Sequence, residues 1–438
     1  MNMRLLSLTS VLLLLLSACA SVDEDEAPAE LTDFTAERAV SELWSVSVGN
    51  GQGQSWNRLQ PVFDGNLVLA AANDGTVVAL NPVNGKRVWR KELDEEIIGG
   101  VGAGEGLALL GLADGSVLAL DRNTGSEVWR HSVAGEVLAP PAIDGSTVIV
   151  QTYNGRVIAL DAKTGKERWH YQALLPRLTL RGTGTPLMAG PYVYVGFANG
   201  RVMALAVEDG TPMWEVRVSI PKGSTEIERL VDVDGRFVLE GNVLYAVGYQ
   251  GRLVAIDTAT GQRFWDRDAS SHVGLAIGYN NVYVIGADGA ITAHKHNGQG
   301  VTWTQTVLER RQLADPVTVA GMLAVADFEG YIHFLSQVDG RLVARAKTND
   351  GVRAPLVRQQ DVVFSYSNNG ELTAWRIGRE DISAGEGGMF RRLFNRDKGE
   401  QDKPAQENDQ PYQMNNPEWL EYLLRNDQEE AQRRSGAN

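Results

Sequence analysis

Apolar residues along this chain come in short runs, most of them bounded by an Asp/Asn-Gly or Thr-Gly pair. One unit reads Leu107-Ala-Leu-Leu-Gly111, then Asp114-Gly115, then Ser-Val-Leu-Ala-Leu-Asp121, then Asn123-Thr124-Gly125, then Glu127-Val-Trp129. Val117, Ala119 and Asp121 alternate with Leu118 and Leu120, the period of a β-strand. Asp-Gly predicts a two-residue hairpin turn, since a type I′ turn needs positive φ at both central residues. Each unit therefore predicts strands A and B, a turn, strand C, a second turn, and strand D carrying Trp. The spacing from turn Gly to Trp is 14 residues at Gly75/Trp89, Gly115/Trp129, Gly155/Trp169, Gly200/Trp214, Gly251/Trp265 and Gly289/Trp303. Two degenerate copies follow, at Gly330 with Ala344 in the Trp place, and at Gly370. The eight glycines step by 40, 40, 45, 51, 38, 41 and 40 residues, the period of four-stranded propeller blades. A Trp at each outer strand buries roughly 150–250 Å², enough to pin a blade to its neighbour, so these residues read as structural.

The last copy supplies a third strand, Glu371-Leu-Thr-Ala-Trp-Arg-Ile377, but charged and Gly-rich sequence follows it. Near the other end, Glu42-Leu-Trp44-Ser-Val-Ser-Val48 is an orphan outer strand. Pairing the two closes the ring and removes exposed edges. The expectation is an all-β chain: an eight-bladed β-propeller over residues 41–378, closed by the N-terminal strand, with a flexible C-terminal extension at 379–438 that contains a short helix.

Composition changes this picture at the N-terminus. Arg4 precedes the apolar run Val11-Leu-Leu-Leu-Leu-Leu16, too short to span a bilayer as a helix, and Leu16-Ser17-Ala18-Cys19 resembles a bacterial lipobox. Cys19 is the single cysteine of the chain and falls at the cleavage position. Residues 1–18 thus read as a lipoprotein signal peptide, Cys19 as the lipidated N-terminus, and 19–40 as lipidated Cys and flexible tether. Ala20, rather than Asp, after the cysteine favours the outer membrane. No disulfide is available, so blade packing and ring closure must hold the fold. The net charge is −14, or −15 without the signal segment (40 basic against 55 acidic), which disfavours nucleic acid.

Function is expected where the repeat is violated. From each Trp position to the next turn Gly the counts are 26, 26, 31, 37, 24, 27 and 26 residues, so two consecutive connections are long. If the extra residues lie in the D-to-A crossovers, both project from one rim, on the face that also carries the B–C turns. The first holds Pro176-Arg-Leu178-Thr-Leu180-Arg181-Gly182, with Leu178 and Leu180 on one side of an extended segment. The second holds Gly223-Ser-Thr-Glu-Ile-Glu-Arg229-Leu-Val-Asp232-Val-Asp234, with Asp232 and Asp234 again at strand spacing. Apolar anchors plus an Arg opposite paired carboxylates suit a protein-binding patch. The alternative is that the leucines close the core and the aspartates form turns before Gly235.

The repeats resemble the PQQ-type propeller repeat. Together with the lipobox, the Pro176–Gly182 and Gly223–Asp234 stretches, Val301-Thr-Trp-Thr-Gln305 and Glu329-Gly-Tyr-Ile-His333 are similar to the BamB family, lipoprotein subunits of the outer-membrane β-barrel assembly machinery. The resemblance implies a non-enzymatic scaffold without cofactor, apart from the covalent lipid on Cys19. It implies anchorage at the periplasmic face of the outer membrane, with BamA POTRA domains and the Bam complex as partners. It carries the BamA contact to Leu178, Leu180, Arg181, Asp232 and Asp234, the aspartates either meeting a basic partner group or orienting Arg181. Nascent outer-membrane proteins are a further expected partner, through β-augmentation of blade edges.

Rival classes are a quinoprotein-like dehydrogenase and a periplasmic propeller binding glycan or peptidoglycan. The first needs a vicinal disulfide that a single cysteine cannot make. His294 and His296 share a strand face, but no third metal ligand stands nearby in sequence. Beyond the ring, Met389-Phe390-Arg-Arg-Leu393-Phe394 and Asn416-Pro417-Glu418 followed by Trp419, Leu420, Leu423 and Leu424 predict short amphipathic helices, the second for docking on the propeller, on another envelope partner or on the membrane surface.

Overall fold

The computed structural model describes residues 27–54 and 57–378. Cys19, the signal segment and the C-terminal helices expected from sequence lie outside them. Among the described residues every regular element is a strand, β1 to β32, arranged as eight four-stranded antiparallel sheets. Blade 1 is β2–β5 (Val62–Glu92), and blade 2 is β6 (Ile97–Gly104), β7 (Leu107–Leu112), β8 (Ser116–Asp121) and β9 (Glu127–Ser132). Blades 3 to 7 follow in the same order as β10–β13 (Ala142–Gln172), β14–β17 (Leu187–Arg217), β18–β21 (Val238–Asp268), β22–β25 (Ala276–Gln305) and β26–β29 (Val317–Lys347). Blade 8 takes β30 (Val357–Gln359), β31 (Val362–Tyr366) and β32 (Glu371–Ile377) from one end of the chain and β1 (Val40–Ser47) from the other.

The B–C turns differ from the type I′ expectation. In blade 2 only Gly115 has positive φ (+79°), and its N–H donates to Leu112 O at 3.1 Å across three loop residues. Asp114 explains the choice: its Oδ1 accepts the Ser116 N–H at 2.9 Å, which fixes an ordinary first turn followed by one left-handed glycine. In blades 2, 3 and 5 the C–D turn is tied by an aspartate as well, Asp121, Asp161 and Asp257. Asp121 Oδ1 accepts from Asn123 N, Thr124 N and Thr124 Oγ1 at 2.8–3.0 Å, and these bonds, led by the Thr124 hydroxyl, hold its carboxyl below the usual range. At Asp161, Arg168 and then Thr164 bring the carboxyl down to about 2.

Strands B and C are buried on both faces because each blade lies between two others. Leu118 and Leu120 of β8 pack toward blade 1, while Val117 and Ala119 pack toward blade 3. On the outer strands the tryptophan is the inward residue, and it locks one blade to the next. Trp89, Trp129, Trp169, Trp214, Trp265 and Trp303 donate their indole N–H to Arg122, Ala162, Val207, Thr258, His296 and Gln337 carbonyls of the following blade at 2.8–3.1 Å. Trp44 does the same to Pro82 O at 2.9 Å. The glycine of the receiving turn lies under the ring: a Cβ on Gly165 would come within 2.6 Å of Trp129. Across the strand pair each Trp faces an alanine, as in Ala119↔Trp129 and Ala374↔Trp44. Blade 7 reverses the pair, with Phe334 on strand C opposite Ala344. The reason is topological. Blade 8 has no C–D turn, since β32 and β1 come from opposite ends of the chain, so a Trp at 344 would have no glycine to cover.

Ring closure is the β1–β32 ladder, from Val40↔Ile377 to Ser47↔Glu371. Tyr366 OH reinforces it by donating to Val48 O and Ala71 O at 3.3 and 2.9 Å, bridging blades 8 and 1. Part of the segment expected as a flexible tether, residues 27–40, is held on the ring. From Ala27 onward the chain is hydrogen-bonded to blade 7 and the crossover that leads into it, because arginines there reach the backbone carbonyls of Ala27, Ala29 and Thr32.

Candidate functional site: the crossover rim

The extra residues do lie in D-to-A crossovers: residues 173–186 join β13 to β14, and 218–237 join β17 to β18. Crossovers and B–C turns share a face, as the Val133 N–H to Gly115 O and Val218 N–H to Gly200 O bonds show (2.9 and 2.8 Å). A third long crossover, 48–61 between β1 and β2, belongs to the same face. Its signal was available in the sequence, since Trp44 precedes Gly75 by 31 residues, the same count as Trp169 to Gly200.

The first loop presents Leu174 and Leu178 to solvent, 88% and 44% exposed. Leu180 is half-buried, and Thr179 Oγ1 is held 2.9 Å from Tyr153 OH of blade 3. Arg181 is exposed and pairs with Glu136 at 2.7 Å, a residue of the blade 2–3 crossover that no sequence pattern marked. The second loop is built on a capping turn. Glu228 Oε2 accepts Ser224 N, Ser224 Oγ and Thr225 N at 2.6–3.1 Å, and Glu228 N donates back to Thr225 Oγ1 at 3.2 Å. Those bonds, the Ser224 amide first, lower the Glu228 carboxyl. Ile220 and Ile227 of this loop are also exposed. Between the loops runs a flank groove of about 660 Å³, lined among others by Leu174, Met203, Arg217, Ile220 and Arg229.

The two aspartates have different surroundings. Asp232 is only 2% exposed, bridges to Tyr249, and accepts the Val233 N–H on Oδ1 at 2.7 Å, leaving Oδ2 without a partner. Burial, then the neighbouring Asp234, pushes its carboxyl well above the usual range. Burial rules out direct contact with a partner in this conformation. Asp234 instead forms the wall of an axial pit of about 70 Å³, with Arg58, Arg181, Arg236 and Asp315. Gly182 lies against Asp234, and a Cβ there would stand 2.3 Å from its Oδ2. Burial raises the Asp234 carboxyl and Asp315 adds to the rise, while Arg58 opposes it. The structure thus brings Arg181 and Asp234 to one pit, leaves Leu178 exposed on the same crossover as Arg181, and buries Asp232. Arg181 is paired by Glu136 rather than by either aspartate.

His294 and His296 do not converge. His294 is buried, and burial lowers its pKa. His296 Nε2 instead meets Tyr245 OH at 2.7 Å and the Glu240 carboxylate. Among the described residues no group of three His, Cys, Asp or Glu could hold a metal ion.

Eight blades, joined by Trp–Gly locks at seven of their eight junctions, with PQQ-type repeats and an elaborated crossover rim, define an eight-bladed propeller of the PQQ-repeat class. Quinohemoprotein alcohol dehydrogenase from Comamonas testosteroni shares that fold, with a TM-score of 0.63 over 77% of this chain and 76% of its own, at 13% identity. A family model described as outer membrane protein assembly factor BamB matches residues 35–99 and 73–305. The outer membrane protein assembly factor BamB of Pseudomonas aeruginosa is 49% identical over 361 residues, 82% of this chain and 95% of that one. The crystal structure of BamB from Moraxella catarrhalis superposes with a TM-score of 0.72 at 30% identity, covering 77% of this chain and all of the other. The chain belongs to the BamB family.

Proposed function

We propose that this protein is a non-enzymatic scaffold of the outer-membrane β-barrel assembly complex, anchored through a lipid on Cys19 at the periplasmic face of the outer membrane. It binds the POTRA domains of BamA through the crossover rim and so promotes folding and insertion of outer-membrane proteins. Leu178, 44% exposed on the crossover whose Arg181 and Gly182 line the polar pit, carries this assignment: an apolar side chain there gains by desolvation only when a partner covers it. Leu178 and Leu180 act as anchors, and Arg181 exchanges Glu136 for an acceptor on the partner. Asp234 meets a basic group at the pit, and buried Asp232 positions the second loop. No cofactor takes part.

The test is binding of the soluble chain (residues 20–438) to a matched BamA POTRA array, against Leu178→Ala/Leu180→Ala/Arg181→Ala, with circular dichroism to verify folding. Removing a hot-spot cluster is expected to weaken binding by about 30-fold or more. Equal binding by a folded triple variant would refute the interface. No binding by either protein would remove the assembly-scaffold reading and bring glycan binding forward.

A further inference from the structure

Residues 27–38 lie along the outer flank of blade 7 as a strap. At one end Ala29 N donates to Glu309 O at 3.0 Å, and Arg310 Nε donates to Ala27 O at 2.6 Å. Glu309 and Arg310 belong to the blade 6–7 crossover, so this end sits on the crossover rim. At the other end Glu37 N and Arg38 N donate to Val343 O at 2.9 and 3.3 Å, beside the start of β29 (Leu342–Lys347) on the opposite face. The strap therefore runs antiparallel to β29 from the crossover rim to the far face, where β1 begins.

Four arginines hold it, two on the blade 6–7 crossover and two on blade 7. Arg341 grips Glu37 with two bonds of 2.8 Å, and Arg345 stacks 5.0 Å over the Phe34 ring while donating to Thr32 O at 3.1 Å. Arg310 holds Ala27 as described. Arg311 is the most informative, because its side chain is 3% exposed. Its guanidinium is shared among Asp327 at 2.7 Å, Glu329, and the Ala29 carbonyl at 2.9 Å. Asp327 is in turn bonded to buried His333 at 3.0 Å. Lifting the strap would leave a buried charged donor without its third acceptor, which is costly. The site is built for the strap.

We propose that this strap fixes where the membrane anchor leaves the molecule and thereby turns the crossover rim toward the lipid surface. The inference rests on the reading of Cys19 as the lipidated residue. Eight residues separate Cys19 from Ala27, a reach of at most about 28 Å, whereas release of the strap would free 21 residues up to Val40 and about 70 Å. The docked strap shortens the leash and selects the face: the rim that carries Leu178 and Arg181 is held near the bilayer, where a membrane-bound partner presents its periplasmic domains.

The test uses the chain from Cys19 to Asn438, whose single thiol couples to phosphatidylcholine vesicles containing a maleimide-bearing lipid. A donor dye is introduced through a bio-orthogonal side chain at Ala287, in an exposed B–C turn, or at Ala259, in an exposed C–D turn on the opposite face. Energy transfer to an acceptor lipid is expected to be clearly stronger from Ala287. In Arg310→Ala/Arg341→Ala/Arg345→Ala, which spares the buried Arg311, the difference should shrink sharply, and in a parallel sample thermolysin should cut the released strap at Leu31 and Phe34. Equal transfer from both sites in the unmodified chain would overturn the proposal. So would an unchanged difference, measured without protease, in a variant whose strap the parallel digestion shows to be released. Because coupling is chemical, this result is independent of acylation in cells. That is read separately by palmitate labelling of wild type against Cys19→Ala, and an unlabelled wild type would defeat the anchoring premise alone.

Discussion

Removing one blade lock gives the sharpest test of how the ring is held. Trp129 is buried, donates to Ala162 O at 2.8 Å and lies on Gly165, whose φ is +68°. Trp129→Ala should cost about 3–5 kcal/mol, the range for deleting a large buried aromatic side chain. Gly165→Ala adds two separable penalties. Left-handed φ costs a non-glycine residue about 1–2 kcal/mol. The new methyl would stand 2.6 Å from the Trp129 ring, and relieving that overlap costs a further ~1–3 kcal/mol. Only the second penalty depends on the tryptophan. In the Trp129→Ala background, Gly165→Ala should therefore retain the φ penalty and lose the steric one, giving a coupling of about 1–3 kcal/mol in a double-mutant cycle. Urea denaturation of the soluble chain, followed by tryptophan fluorescence and far-UV circular dichroism with coincident transitions, supplies the four stabilities. Additive losses would refute the lock, because they would mean that the glycine is needed for its φ alone.

Two further outcomes are expected. Ala344→Trp should destabilise the ring by about 1–3 kcal/mol, since Phe334 already fills the space opposite, and adding Phe334→Ala should recover most of that loss; failure of the second change to help would show that the reversed pair is not a volume exchange. Asp232→Asn should stabilise the protein at neutral pH. The folded carboxyl stays protonated above the ordinary value of 3.8 while the unfolded one ionises, so the folded state holds the extra proton and wild-type stability falls as pH rises from about 3.8 toward the raised folded value. The variant removes that fall, and parallel stability–pH curves for the two proteins would contradict it.

The repeat made the architecture legible, because every element of it is local. The Gly-to-Trp spacing of 14 residues, the Thr-Gly turns and the orphan Trp44 strand specify eight blades and their closure without reference to distant contacts. The same spacing located the long crossovers, since an insertion shows as a departure from a fixed count. It even held the third one, at residues 48–61, which a count begun at Trp44 would have found.

The site was legible only in part, and the reason is distance along the chain. The pit is assembled from crossovers of different blades, with lining residues from Asn57 to Pro355, so no local pattern reports that Arg58 and Asp315 flank Asp234. Asp232 and Asp234 look equivalent at strand spacing, yet Asp232 is buried and bridged to Tyr249 of the blade 5 turn, while Asp234 lines the pit formed with other crossovers. Glu136 as the partner of Arg181, and the arginines that hold the strap, likewise join residues remote in sequence. Sequence alone determined the blades, their locks and the closing strand, since strand period and turn chemistry act over a few residues. Which side chains share the rim, which carboxylate is buried and where the N-terminal segment lies were decided only when ring closure brought separate blades around one axis.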